Sequence, residues 1–455
     1  MTNRRDILRA GAAFGGAGLA ASVLPGFSAA AQTANGYKAL VCVFLAGGMD
    51  GHDTVIPQDA ASYEAYAETR GRLLELYAGA GDDSRTREAL IPLGEQADGR
   101  AMGMPRQMRA LADHYADGRM AVVANVGPLV APTTAADAEA GRVPLPPRLM
   151  SHNDQQSTWQ AMGVEGATSG WGGRMADMME AANEFSAISI SGNPVFLAGD
   201  ASQPFVMGQG GVQTVHATRQ EWAYGSREVP AAFEAHLAAS AASMDSWLGS
   251  DYQAAQRRAV SSVNELAAMS NATTAGDEVA MEGNELSAQL AMVARMISLR
   301  DRIGVKRQVF FVKMGRFDTH DKQHTDLPVL QAQLAEAMSA FYAWTVAQGV
   351  AMDVTTFTAS EFGRTLTTNA TGTDHGWGNH HLVLGGAVAG GRIEGLVPPA
   401  EEGHAQDFGR GRMVPTLATA QYAASLGRWF GLSDGQLGDV LPGLDRFDAG
   451  GVRLF

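Results

Sequence analysis

The chain has a single cysteine, Cys42, so it can form no intramolecular disulfide. Its position inside the apolar run Ala39-Leu40-Val41-Cys42-Val43-Phe44-Leu45 marks it as a small buried hydrophobe. Basic residues are also short, 34 Lys and Arg against 48 Asp and Glu, for a formal net charge of −14. No local basic patch interrupts that excess, and a surface of this sign repels polyanions, which argues against nucleic acid as a partner. Beyond the N-terminus no apolar stretch is long enough to span a bilayer. No period repeats along the chain. What remains is the composition of an ordinary soluble globular protein, 45% hydrophobic and 18% charged. At 455 residues it is long enough for more than one domain, although α/β folds with insertions reach this size as one unit.

The N-terminus reads as an address. Asn3-Arg4-Arg5-Asp6-Ile7-Leu8-Arg9 is a twin-arginine pattern, followed by a weakly apolar run to Leu24 and the small-residue cleavage site Ala29-Ala30-Ala31. Residues 1–31 are therefore expected to be a signal peptide, with the twin-arginine machinery as export partner and the periplasm as destination. A positively charged first helix is the alternative. Removing Arg4, Arg5, Arg9 and Asp6 takes the net charge from −14 to −16.

Lys38 to Leu45 and Met120 to Gly127 read as strands buried on both faces. Ala60 to Ala78 and Pro105 to Tyr115 between them read as helices. Short strands are expected at Ala187 to Ile190 and Pro194 to Leu197, and longer ones at Gln308 to Val312, Asp353 to Thr358 and His381 to Leu384. The segment Leu327 to Gln348 reads as a long helix. This alternation predicts an α/β fold with a predominantly parallel sheet covered by helices on both faces. The Ala- and Met-rich stretch 230–302 is expected as a helical insertion, and 32–455 as a single domain.

Seven of the 11 histidines, His52, His152, His320, His324, His375, His380 and His381, fall in short Gly- or Asp-rich segments. Most of these follow strand ends, where open α/β sheets place their sites. Asp50, Asp318, His320, Asp374 and His375 offer a mixed nitrogen and oxygen donor set, which suits Zn²⁺, Mn²⁺ or Fe, with Zn²⁺ or Mn²⁺ expected, where an all-oxygen set would suit Mg²⁺ or Ca²⁺. Taken alone, each Asp-His pair can equally be a surface turn. Glu361 can ligate or orient a ligand and Arg364 can grip an oxyanion, unless the two pair with each other at helical spacing. Ser151 sits before an expected helix, as a nucleophile or simply as its N-cap, and His152 beside it can ligate, donate a proton or close the loop.

In order along the chain, Leu45-Ala46-Gly47-Gly48-Met49-Asp50-Gly51, Ser151-His152, Phe317-Asp318-Thr319-His320, Ser360-Glu361-Phe362-Gly363-Arg364-Thr365, Thr373-Asp374-His375-Gly376 and Gly385-Gly386-Ala387-Val388-Ala389-Gly390-Gly391 resemble a known family. It is the twin-arginine-exported family catalogued as domain of unknown function 1501, placed in the alkaline phosphatase and sulfatase superfamily. The resemblance covers nearly all of the mature chain. It implies an alkaline phosphatase-like core and a two-metal hydrolase of phosphate or related esters, whose Ser or Thr nucleophile attacks while the metals clamp the attacking and leaving oxygens. By chain order it assigns Asp50 and Asp374-His375 to one metal and Asp318 with His320 or His324 to the other. His380 or His381 completes the second site, and Ser151 is the nucleophile.

Asp318 precedes His320 by two positions and His324 by six, where alkaline phosphatases separate the corresponding Asp and His by three residues. The sulfatase formylglycine signature is missing: Cys42 is followed by Val43-Phe44-Leu45, and no serine has the required context. The expected substrate is thus a small anionic ester. The alternative is a noncatalytic exported protein that keeps the fold to bind a metal or ligand. Convergence of Asp50, Asp318 and Asp374 is the geometric criterion between them.

Overall fold

The apolar run that holds Cys42 is strand β1 (Lys38–Leu45), and its side chains alternate between two cores. Ala39, Val41, Val43 and Leu45 enter one, while Leu40, Cys42 and Phe44 enter the other. A strand that is apolar at every position must be covered on both faces, because successive side chains point to opposite sides.

The computed structural model describes residues 36–179, 182–215, 217, 225–239, 247–448 and 450–455, and the expected signal segment 1–31 lies outside them. Residues 36–455 form one compact unit. Three short strands, β2 (Ile56–Pro57), β3 (Ile91–Glu95) and β4 (Ala101–Met104), make a small antiparallel sheet. The central sheet contains β1, β5 (Met120–Gly127), β6 (Ala187–Ser189), β7 (Phe205–Val206), β8 (Arg307–Met314) and β9 (Val354–Ala359). After the hairpin of β10 (Arg364–Thr368) and β11 (Thr373–His375), it gains β12 (Asn379–Gly385), β13 (Arg392–Glu394) and β14 (Leu417–Ala418). Its order is β13-β5-β12-β9-β1-β8-β6-β7, with β14 paired to the end of β5.

Most neighbours are parallel, β1 with β8 and β9 and β6 with β7 and β8, so the expected mostly parallel sheet is present. Strand β12 departs from the expected pattern and runs antiparallel to both β9 and β5. The cause lies in the connection. A parallel return needs a crossover, usually a helix, but only the β10–β11 hairpin separates β9 from β12. The first residues of β12 therefore sit at the edge where the parallel strands end.

One core is covered by the helices Arg109–Ala116, Glu285–Ser298 and Gln323–Ala347, and the other by Trp171–Asp177, Thr419–Phe430 and Asp434–Val440. Three expectations change in detail. The helix at Ala60 to Ala78 is broken at Arg70 into Ala60–Thr69 and Gly71–Gly79. The stretch Pro194 to Leu197 contains a short 3-10 helix, Val195–Leu197, rather than a strand. Of the helical region 230–302, Glu285–Ser298 is a buried layer of the main core, while Glu228–Ala238 and the first part of Trp247–Asn271 are largely exposed. No helix among the described residues is long and apolar enough to cross a membrane.

Candidate metal centre

The loops after β1, β8 and β9 meet at one edge of the sheet, and glycine permits their approach. Gly47 and Gly48 turn with φ of +119° and +84°. A side chain on Gly47 would run into the Asp318 amide, and one on Gly48 into the Phe362 ring. The close pass lets the Gly47 N–H donate to Glu361 Oε1 at 2.9 Å and its carbonyl accept from Arg364 Nη1 at 3.3 Å. The β10–β11 hairpin then sets Arg364 directly opposite His375.

Three imidazoles gather around Asp318. His375 Nε2 lies 3.0 Å and His320 Nε2 3.2 Å from Oδ1, and His152 Nε2 lies 3.4 Å from Oδ2. The ligand atoms of His152, Asp318 and His375 all fall within 4.8 Å of one another, and His320 Nε2 is 3.0 Å from His375 Nε2. Each ring's other nitrogen already faces an acceptor: His152 Nδ1 the Glu361 carboxylate at 2.8 Å, His375 Nδ1 the Met150 carbonyl at 2.7 Å, and His320 Nδ1 the Asp374 carboxylate at 3.3 Å. A carbonyl or carboxylate can only accept, so the proton of each neutral ring is drawn to Nδ1 and the Nε2 lone pair is left facing Asp318. Lone pairs and a carboxylate turned toward one point repel unless a cation lies among them.

A metal ion can serve. Ligands of a tetrahedral ion with bonds of about 2.0–2.1 Å stand about 3.3 Å apart, close to the spacings here. Carboxylate or carbonyl support behind each imidazole is the arrangement that fixes metal-binding histidines. On this donor chemistry the residues fit a divalent ion: an imidazole and carboxylate set suits Zn²⁺, with His152, Asp318 and His375 mutually within reach and His320 beside His375.

The electrostatics are graded. Burial pushes the Asp318 carboxyl upward, but the hydrogen bond from Arg364 and the nearby positive charge hold it below its ordinary value. The Glu361 hydrogen bond raises His152, whereas burial lowers His375. Asp374 is raised by burial but brought down on balance by Asn369, His320 and Arg410.

The expected site residues divide between this cluster and other places. Asp318, His320 and His375 are brought together, and His152, expected to serve catalysis, joins them through Nε2. Glu361 is fully buried and supports His152 from behind rather than facing the cluster centre. Arg364 neither pairs with Glu361 nor offers a free fork: it donates to Asp318 Oδ1 at 2.7 Å and to the hydroxyl and carbonyl of Thr373. Asp374 braces His320 Nδ1 and accepts from Arg410 at 3.0 Å. Ser151 caps the helix His152–Ala161 by position, and its hydroxyl donates to Asp154 Oδ2 at 2.7 Å.

Two expected ligands lie elsewhere. Asp50 is fully buried, receives both Arg70 Nη1 at 2.6 Å and Nη2 at 3.1 Å, and also accepts from Gln323 Nε2 at 2.6 Å. It is saturated by a guanidinium, so Asp50, Asp318 and Asp374 do not converge on one ion. His381 is buried in the core, stacked on the Tyr422 ring at 5.6 Å and set edge-on to Trp159, and both its ring nitrogens lack partners. Its neighbour His380 accepts from the Asn125 N–H through Nδ1 and packs edge-on against His52.

Sequence reasoning missed Arg70, Gln323, the Met150 carbonyl and the pair Arg410 and Arg412. Arg70 was hidden inside what read as an unbroken helix, and a backbone carbonyl has no residue signature. The glycine-flanked run Gly409-Arg410-Gly411-Arg412 was a visible signal, since guanidinium groups in a tight turn are typical of anion contacts.

No curated protein matches the chain. The family described as "Protein of unknown function (DUF1501)" matches it over residues 37–444, a span that includes every residue of the cluster, and the chain belongs to that family.

Proposed function

We propose that this protein is a metal-dependent hydrolase of phosphate or related anionic esters, working with one divalent ion held by His152, Asp318, His320 and His375. The supporting observation is the convergence of three Nε2 lone pairs on Asp318, each ring held from behind through Nδ1. A Zn²⁺ or Mn²⁺ ion bound there supplies Lewis acidity. Glu361, Asp374 and the Met150 carbonyl orient the three rings, and Arg364 fixes Asp318. Ser151 lies between Met150 and His152 with its hydroxyl on the Asp154 carboxylate, the pairing of a nucleophile with a base. In the net reaction water adds across the ester: its oxygen joins phosphorus, the ester P–O bond breaks, and a proton goes to the leaving oxygen. This reading extends the resemblance to the alkaline phosphatase superfamily, with its core and its twin-arginine export, and drops Asp50 as a ligand.

A second reading, a noncatalytic metal-binding protein, is favoured by that loss of Asp50 to Arg70. Metal analysis of the mature chain and a panel of phosphomonoesters and diesters separates the two. Hydrolysis requires near-stoichiometric metal, metal-stimulated turnover, and loss of both in Asp318→Ala. Ser151→Ala is expected to keep the metal and lower kcat at least about a hundredfold. Metal without turnover on any ester supports the second reading, and no metal uptake overturns both.

A further inference from the structure

A cavity of about 240 Å³ opens beside the cluster, lined by His320, His375, Asp374, Thr365, Arg410 and Arg412. Its one carboxylate, Asp374, is already matched by Arg410 at 3.0 Å, as Asp318 of the neighbouring cluster is by Arg364 at 2.7 Å. Arg412 is different. Among the described residues no carboxylate pairs with it, and its Nε donates to the Gly409 carbonyl at 2.8 Å while its guanidinium carbon lies 5.9 Å from the Phe408 ring. Half-buried on the cavity lining, its guanidinium keeps its positive charge unmatched by any carboxylate among the described residues.

The turn that presents it is firmly held. Phe408 N–H donates to the Arg412 carbonyl, Gly411 N–H to Asp407 Oδ1, and Leu366 N–H to the Gly411 carbonyl, which ties the turn to β10. A side chain on Gly411 would strike Leu366, and Arg410 adopts a left-handed φ of +61°. Arg412 thus lines the same small cavity as His320 and His375, two of the residues that would hold the proposed ion.

We propose that Arg412 is a specificity-determining residue, and that the substrate carries a second anionic group, a carboxylate or phosphate a few bonds from the ester phosphorus, that seats against its guanidinium. This rests on the metal reading above and names the substrate class of that same site. The planar fork favours two parallel hydrogen bonds to such a group.

The test uses the zinc-loaded mature chain and two small probes, methylphosphonate and phosphonoacetate, which share the phosphonate and differ by one carboxylate. Calorimetry is expected to show phosphonoacetate binding at least about tenfold tighter. In Arg412→Met the preference should vanish while methylphosphonate affinity is unchanged. Arg412→Lys, which keeps the charge and loses the fork, should retain part of it and covers the case of a poorly folded Met variant. Arg446→Met, on a different part of the surface, should leave the preference intact. A wild-type chain that takes up zinc but binds neither probe or shows no preference overturns the proposal, as does a preference that survives Arg412→Met. Failure to take up zinc instead overturns the metal reading on which it rests.

Discussion

Glu361 shows what one buried side chain can contribute by holding its neighbours in place. Its Oε1 collects the Gly47 N–H, the His152 ring and the Gln156 amide, and so fixes which nitrogen of His152 faces Asp318. Replacing Glu361 with Gln lets the amide present a donor to that ring. Metal affinity is expected to fall by about 10- to 100-fold, read by competition with a chelator, with little change in the fold. Asp50 and Arg70 behave differently, because both charges are fully buried and each needs the other. Arg70→Met should cost about 3–5 kcal/mol in urea unfolding, and Asp50→Asn on that background should recover part of it. Asp318, His320 and His375 were legible in the sequence because carboxylate and imidazole cluster there beside glycine. The fate of Asp50 was not, since nothing near it in sequence announces an arginine twenty residues on as its partner.

Among the elements, the β10–β11 hairpin does most to assemble the cluster. It delivers His375, and its turn packs on the loop after β8, where Thr373 N–H donates to the Thr319 carbonyl and Gln323 N–H to that of Thr371. Gly372 allows this contact, because a side chain there would meet the Thr319 carbonyl oxygen and the His320 backbone. Gly372→Ala is therefore expected to part the hairpin from the loop that carries Asp318 and His320. Metal affinity should drop more than about tenfold and the melting temperature by a few degrees, measured side by side in calorimetry. Strands β1 and β5 matched their apolar runs end to end, since double-sided burial leaves an unbroken hydrophobic signature. The direction of β12 was not readable, because the local pattern of a strand carries no record of how the chain enters it.

At the scale of the whole molecule, buried histidines set the response to acid. Burial lowers His380 to about 4 and His381 to about 3. The unfolded chain protonates near the ordinary value of 6.5, before the folded one does, so their contribution is intact above that value and is lost as pH falls below it. His152, raised by Glu361, acts in the opposite sense, favouring the fold below 6.5 and losing that contribution as pH rises through its folded value. Burial lowers His52, His114, His375 and His404 as well, against the one raised ring of His152, so acid is the net destabiliser. From His380 and His381 alone, stability is expected to fall by roughly 3–4 kcal/mol between pH 7.5 and pH 5, followed by chemical denaturation. His381→Phe, which keeps the stacking on Tyr422, should flatten that slope.

The saturated Asp50 has a last consequence. Gln323 donates to it and thereby turns its amide oxygen toward the hydroxyls of Thr319 and Thr373, one on each segment that carries the cluster. The floor under the imidazoles is thus built from the protein's own charges and amides. On the metal reading proposed above, such a centre is a socket rather than a clasp: an ion would be withdrawn and another seated without the chain being unmade.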